Sequence, residues 1–569
     1  MKQRILLFFL FFSFYTFYAN QRIDVPSNQY GIDNSKSLII TNLDVNSINS
    51  SLSGEKSSIS FDVLYNFKTP VSEIKIGIPY SIVNTITNKT YTLYFTQLPL
   101  IRISTENEII RDESKLANFE LIESNKKFVS SKIGISYRGE TSYKLFEKKP
   151  YEINFWNDDE GKVTHDESLL GMHSDDGWNL QAMYNEPLRF NNKTGWELWR
   201  SICTPYYSSK EPEAVSGIQQ EYAELFLNGE YQGLYCVGEK VNRKLLKLKK
   251  YNEKVHGELY KAKKYAGATL FRYMTSYDNN RAEWSGYECK YPNEVDWSNL
   301  YKWTDFVINN FNAKLYNDPK SEFRINNDAE YFIFLNLIRA TDNLGKNFYI
   351  AKYNSGEPFF FVPWDLDATF GNVWNGDHED VTDDLQADKF FNLLLNDCSE
   401  GGFCSRLSSR WKELRKTVIT HDKLMLMFTN NYNVLKQNGA YERESLVWND
   451  YKANSDELNY ISQWLTKRIA FLDKTFGEMC GGTLDVKAFD KVSNIVVYPN
   501  PTSDMINISS KDNLLHTVFL YDSTGKLVLT RYSRDNEDKI SIKHLSSGIY
   551  FLKVVDEENK IDLKKIIKE

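Results

Sequence analysis

Histidine is scarce in this chain, with seven residues scattered along 569. The six cysteines (Cys203, Cys236, Cys289, Cys398, Cys404 and Cys480) show no metal-ligand spacing. Together these argue against a zinc site. An excess of one charge is lacking too. The formal net charge of −7 is small for the length, so no sequence-wide attraction to nucleic acid or anionic membrane is expected. Beyond the first twenty residues no stretch reaches the roughly 18 apolar residues of a membrane span.

Residues 1–20 read as a signal peptide, with Lys2 and Arg4 in the charged region, Ile5 to Tyr18 apolar, and Ala19 near a cleavage point. No cysteine lies there to carry a lipid anchor. The expected product is exported, with no transmembrane segment after cleavage. In that setting six cysteines allow up to three disulfides and fifteen connectivities, and Cys398 with Cys404 is the expected local pair.

A hydrophobic content of 41% and an aromatic content of 15% exclude general disorder. At roughly 150 residues per domain, the length suggests three or four domains. Residues 21–96 carry period-2 stretches such as Ser60 to Phe67 between polar turns, and predict an accessory β-domain without helices. Longer strands follow from Leu98. Between two of them lies R-G-E-T-S-Y, Arg138 to Tyr143, followed by Lys148 and Lys149. A Gly-hydroxyl turn there offers backbone N–H groups to phosphate oxygens, and a nearby lysine offers charge. Taken alone, such a turn is usually an ordinary polar connection.

Residues 187–203 predict a helix with Pro187 near its first turn, carrying Glu197. Asn228-Gly229, between two apolar-aromatic runs, is the strongest hairpin signal, and its returning strand ends in Glu239-Lys240. The four lysines from Lys244 to Lys250 read as a solvated face. Helical periods then run over 297–316 and 328–340, with Phe332, Leu335 and Ile338 on one face and Asp328 as N-cap. Further helices are predicted near 387–396, 405–418, 422–436 and 455–477. From Ile495 a Pro-rich opening and short alternating strands predict a small β-sandwich over 495–569, after a linker at 481–494.

Where the strand-rich part gives way to the helical part lies Arg339 to Asn372. Asp342 precedes Asn347 by five residues, and the apolar run Phe359 to Val362 leads into Asp365 and Asp367. A carboxylate, an amide five residues on, and a carboxylate closing a later strand are the parts of a kinase-type Mg-nucleotide site.

Residues of about 97–480 resemble the CotH (spore coat protein H) kinase family. The stretches that carry this are R-G-E-T-S with K-K-P-Y, L-L-G-M with D-D-G-W-N-L, N-K-T-G-W-E-L, A-E-L-F-L-N-G-E-Y-Q-G-L-Y-C-V-G-E-K, D-N-L-G-K-N-F-Y and V-P-W-D-L-D-A-T-F-G-N. The resemblance implies an α+β chain: an atypical protein-kinase-like two-lobe domain, flanked by the N-terminal β-domain and the C-terminal sandwich. It also implies ATP and Mg²⁺ as cofactors and an unidentified protein substrate. Asp342 would be the catalytic base, and Asn347 and Asp365 would hold metal. Asp367 is a second metal candidate. On the nucleotide side stand Arg138, Gly139, Ser142, Lys149, Glu197, Glu239 and Lys240. Departures exist: Asn191-Asn192-Lys193 stands where the family often has Arg-Asn, and neither a Gly-x-Gly-x-x-Gly loop nor a His-Arg before Asp342 is found. The tail, V-Y-P-N-P-T with S-T-G-K and S-S-G-I-Y-F-L-K-V, is similar to the sorting domain of type IX secretion substrates. That similarity implies the type IX machinery as partner and a secreted or cell-surface location. Two rival readings stand beside the kinase: a catalytically inactive kinase-like surface, coat or adhesion protein, and a two-carboxylate hydrolase such as a glycosidase.

Overall fold

The computed structural model describes residues 21–569 except 53, 124–126, 253–255, 478, 480–494, 511–514, 524–525, 534 and 557–560. The signal-peptide and linker expectations therefore lie outside the described residues, as does Cys480. The chain divides into two compact units, one up to Gly481 and one from Gly482.

The first unit opens with a seven-stranded mixed sheet built from Gln21 to Phe95. Alternation places Tyr65 and Phe67 inside the strand Leu64–Val71, against Ile39, Ile59 and Leu93. The helix Val45–Ser51, which no sequence pattern announced, packs Val45 and Ile48 into this sheet's core and is capped by Asp44 on the Asn46 N–H. It buries only Val45 and Ile48, too little for a readable period.

Next, where the sequence predicts a strand-rich lobe, comes a closed seven-stranded barrel. Its strands are Leu100–Ser104, Lys115–Ile122, Phe128–Tyr137, Tyr151–Trp156, Gly177–Gln181, Gln220–Leu227 and Glu230–Gly238. Closure comes from a parallel pairing of Gln220–Leu227 with Leu100–Ser104. Period-2 positions fill the interior: Ile101, Phe119, Ile133, Ile135, Ile153, Phe155, Trp178, Leu225 and Val237. Asn228-Gly229 forms the expected hairpin. Both residues have positive φ, 50° and 78°, as a two-residue turn matching the strand twist requires.

The barrel is tied to the helix Ala440–Val447 by buried charges. Glu444 accepts from the Lys148 ammonium, from Arg189 Nε at 3.0 Å and from the Leu234 N–H at 2.8 Å. Arg443 pairs with Glu224, both fully buried. Desolvating these charges is costly, so each depends on its partner being present.

A five-stranded antiparallel sheet completes the unit, in the order Glu283–Trp284, Tyr287–Tyr291, Glu258–Ala262, Phe348–Lys352, Phe359–Pro363. The helix Asp328–Ile338 packs on it, buried at ten of its eleven residues. Asp328 is its first residue rather than its cap, and it pairs with Arg406 at 2.6 Å. The predicted helix 187–203 begins only at Asn191, beyond Pro187, and ends at Ile202. The predicted 297–316 segment is two helices, Ser298–Asn309 and Ala313–Asn317. Four more helices lie within two residues of expectation: Lys389–Leu395, Phe403–Thr417, His421–Gln437 and Asp456–Gly477. Cys398 is disulfide-bonded while Cys404 is a free buried thiol, so the expected local pair does not form.

The second unit has a three-stranded and a four-stranded sheet. They share one core: Ile506, Ile508 and Ile540 from the first, Val518, Leu520, Leu552 and Val554 from the second. This is a sandwich, as the alternation predicted. The chain as a whole is α+β.

Candidate active site

The site is built on the hairpin Phe348–Lys352 / Phe359–Pro363. Its register pairs Phe348 with Pro363 and Tyr349 with Val362. Asn347, just before the first strand, and Trp364-Asp365, just after the second, therefore emerge at the same end. The Trp364 N–H donates to the Asn347 carbonyl at 2.9 Å, and Asn347 N–H donates to Ala262 at 2.9 Å. Asn347 and Asp365 both take left-handed backbone, φ 57° and 60°. Asn and Asp are the non-glycine residues that tolerate it best, and such positions gather at functional sites.

The helix Asp328–Ile338 ends at Arg339, φ 54°, and the chain passes into a single 3-10 turn, Thr341–Leu344. Asn343 points inward from this turn. Its side-chain amide donates to the carbonyls of Asn347 and Trp364, clamping the turn to both ends of the hairpin. Asp342 points outward and is half-buried. It accepts from the Tyr265 hydroxyl at 2.6 Å and pairs with Lys346 at 2.8 Å.

Beside Asp365 stands a second group of acids. Asp367 accepts from Asn185 Nδ2 at 2.7 Å. Burial raises the Asp367 carboxyl well above the usual range, and the Asp365 carboxylate adds to the rise. Glu186 is buried and pushed up to about 8, first by burial and then by Asp367. The turn bearing Asn185 and Glu186 is held by Arg189, whose Nη1 gathers the carbonyls of Met183, Tyr184 and Glu186. Burial is the main cause of both rises, and the neighbouring carboxylates add to it. A divalent cation would relieve that repulsion, and Mg²⁺ needs only one or two carboxylates plus oxygen donors. Asp365, Asp367 and Asn347 fit that demand. The tightest acidic triple among the described residues, Asp166, Asp175 and Asp176, lies elsewhere and already holds the Lys244 ammonium.

Cationic groups face the acids where the barrel meets the sheet. Lys261 pairs across strands with Tyr349 and lies 5.2 Å from the Trp364 ring centroid. Burial lowers its ammonium to about 8, Arg138 lowers it further, and Asp365 opposes the fall. Arg138, at the end of a barrel strand, donates to Gln181 and lies 5.8 Å over the same ring. Lys240 bonds Glu152 at 2.7 Å and Asn154 at 3.1 Å. Glu152 in turn lies in electrostatic range of Arg138 and of Tyr349, which also senses Asp365.

Of the residues chosen from sequence, the structure thus gathers Asp342, Asn347, Asp365, Asp367 and Arg138, with Lys240 at the margin. The others have different work. Lys149 caps the short helix after the R-G-E-T-S turn, donating to the Tyr143 carbonyl at 2.6 Å and to Phe146. Gly139 has φ 84°, and a Cβ added there would meet Ser142 Oγ, so both shape that turn. Glu197 pairs with Lys193 at 2.7 Å and accepts from Asn431 at 2.9 Å. Glu239 is buried and holds His173 Nδ1 at 2.7 Å and the Gln219 N–H at 2.7 Å. Sequence reading missed Lys261, Glu186, Asn185, Asn343 and Tyr265. Only Asn343 lay inside the stretch singled out, and nothing in its spacing told clamp from ligand.

A family model described as CotH kinase protein matches residues 135–472. Another, described as a secretion system C-terminal sorting domain, matches residues 496–569. The inner spore coat protein H of Bacillus subtilis is 26% identical over 335 residues, covering 57% of this chain and 80% of that protein. Among solved structures, a DUF3244 family protein with an immunoglobulin-like β-sandwich from Bacteroides vulgatus matches 14% of this chain and 87% of its own, at 16% identity and TM-score 0.13. PorZ, described as a surface component of the type IX secretion system of Porphyromonas gingivalis, matches 16% of this chain and 13% of its own, at 23% identity and TM-score 0.12. The sorting-domain match indicates type IX secretion, to the cell surface or the exterior. Among the described residues no helix is long and apolar enough to cross a membrane.

Proposed function

Because the chain belongs to the CotH kinase protein family over residues 135–472, more than half its length, we propose that it is an exported atypical protein kinase. It would transfer the γ-phosphoryl group of ATP to a hydroxyl of a protein substrate, with the barrel and the sheet-and-helix part as its two lobes. The observation that carries this reading is the hairpin that brings Asn347 and Asp365 to one end, clamped by Asn343 to the turn bearing Asp342.

In phosphoryl transfer there is little covalent chemistry for the protein to do, and positioning and charge supply most of the rate. Bound Mg²⁺ would neutralise charge developing on the phosphates. Asn347 and Asp365, with Asp367 beside them, are the residues to hold it. Lys261, in electrostatic range of Asp365, and Arg138 would meet phosphate oxygens, whereas Lys149 donates to the carbonyls of Tyr143 and Phe146. Asp342 accepts the proton of the attacking hydroxyl, since its carboxylate already accepts from a hydroxyl at 2.6 Å.

The name of the Bacillus subtilis relative, an inner spore coat protein, favours a second reading in which the chain is a non-catalytic surface or coat component. One assay separates the two. Radiolabelled ATP is incubated with the full chain and Mg²⁺, with casein as acceptor. The kinase reading expects Mg-dependent labelling that is lost in Asp342→Asn and Asp365→Ala. No labelling and no ATP binding by the unmodified chain would sink it.

A further inference from the structure

Both carboxylate oxygens of Asp342 already have partners. Its Oδ1 accepts from the Tyr265 hydroxyl at 2.6 Å, and its Oδ2 faces the Lys346 ammonium at 2.8 Å. Tyr265 belongs to a segment fixed at both ends. Lys263 N–H is bonded to Gly286 O at 2.9 Å, and Phe271 is buried in the core. Between these anchors the ring lies against the catalytic turn. A Cβ added at Gly345 would come within 2.6 Å of Tyr265 Cδ1 and of Leu270 Cδ2. Only the absence of a side chain at Gly345 lets the ring approach so closely. The Lys346 ammonium sits 5.3 Å from the ring centroid. Even so, Tyr265 keeps 49% of its surface exposed.

A general base must lie within about 2.6–3.2 Å of the hydroxyl it deprotonates. In this chain the hydroxyl meeting that condition is the chain's own. We propose that Tyr265 is a self-phosphorylation site, standing in the acceptor position of the site described above and modified in cis. This inference rests on the kinase reading.

The step balances without a further reactant. The Tyr265 phenolic oxygen forms a bond to the γ-phosphorus. The bond from that phosphorus to the β,γ-bridging oxygen breaks, and ADP leaves with its electron pair. The phenolic proton passes to Asp342. Burial and the Asp342 carboxylate both raise the phenol above its ordinary acidity range, so it is protonated at neutral pH and needs a base. Once formed, the phosphate carries about −1.5 to −2 charges. Once Asp342, whose side chain is solvent-accessible, has released that proton to water, its carboxylate repels the phosphate, so the modified ring leaves and the acceptor position opens. Self-modification would thus precede transfer to another protein.

The test incubates the full chain with Mg-ATP and follows the peptide containing Tyr265 by mass spectrometry. The expected result is phosphate on Tyr265, at a rate constant unchanged over about tenfold dilution of the protein and absent in Asp342→Asn. Transfer to casein should then show a lag that preincubation with Mg-ATP removes and that Tyr265→Phe lacks. Labelled casein with Tyr265 unmodified would overturn the inference and leave the kinase reading standing. So would Tyr265 labelling whose rate scales with protein concentration. No ADP release and no label on any residue would overturn both.

Discussion

At Lys261, burial works against charge, and Asp365 only partly restores it. With its ammonium lowered to about 8, the group is charged at neutral pH and neutral above. Affinity for a nucleotide's phosphates should therefore fall as pH rises through about 8. Lys261→Arg keeps its charge over that range. Calorimetric titration of Mg-ATP across pH should show this fall in the unmodified chain and a flat profile in Lys261→Arg. His173 shows the opposite shift. Burial would lower its imidazole, but hydrogen bonds to Asp175 and Glu239 overcome this and raise it to about 9. A raised histidine contributes stability that is complete below the unfolded value of about 6.5 and lost as pH rises through about 9. After allowance for solvent screening this is worth about 2 kcal/mol. The gap in denaturation midpoint between the unmodified chain and His173→Gln should be widest below about pH 6.5 and close above about 9. At this scale the residues legible in one short stretch were Asp342, Asn347 and Asp365, which the turn and the hairpin end bring together. Lys261 and Glu186 come from distant elements and carry no local pattern, and Glu239 showed no sign in the sequence of its half-buried partner His173.

Among the elements, the helix Ala440–Val447 has the sharpest consequence. Glu444 answers Lys148, Arg189 and a strand N–H at once, and Arg189 in turn shapes the turn bearing Glu186. Replacing Glu444 by Gln leaves two cations buried without their carboxylate. A cost of about 3–5 kcal/mol in unfolding free energy is expected, measurable by chemical denaturation. The helices were readable because a 3.6-residue apolar period is local, and four of them lie within two residues of their predicted bounds. Pro187 set the one misplaced start: it precedes its helix rather than opening it. Barrel closure was not readable. It depends on Gln220–Leu227 pairing in parallel with Leu100–Ser104, a contact that alternation along either strand does not specify. The helix Val45–Ser51 was missed because two buried residues make no period.

Over the whole molecule, an exported chain presents a family domain whose acidic turn, hairpin ends and facing cations converge from separate elements of one unit. The order of those elements, strands first and helices after, was legible. That the strands close on themselves was not. If Asp342 acts on the acceptor hydroxyl while Asp365 serves the metal-nucleotide, binding and transfer should separate. Mg-ATP affinity and phosphoryl transfer to casein should be measured together in the unmodified chain, Asp342→Asn and Asp365→Ala. Asp342→Asn should bind Mg-ATP within a few-fold of the unmodified chain while transfer falls by about 10²–10⁴-fold, and Asp365→Ala should lose both. Equal loss of binding and transfer in Asp342→Asn, or transfer by that variant at the unmodified rate, would contradict that division of roles.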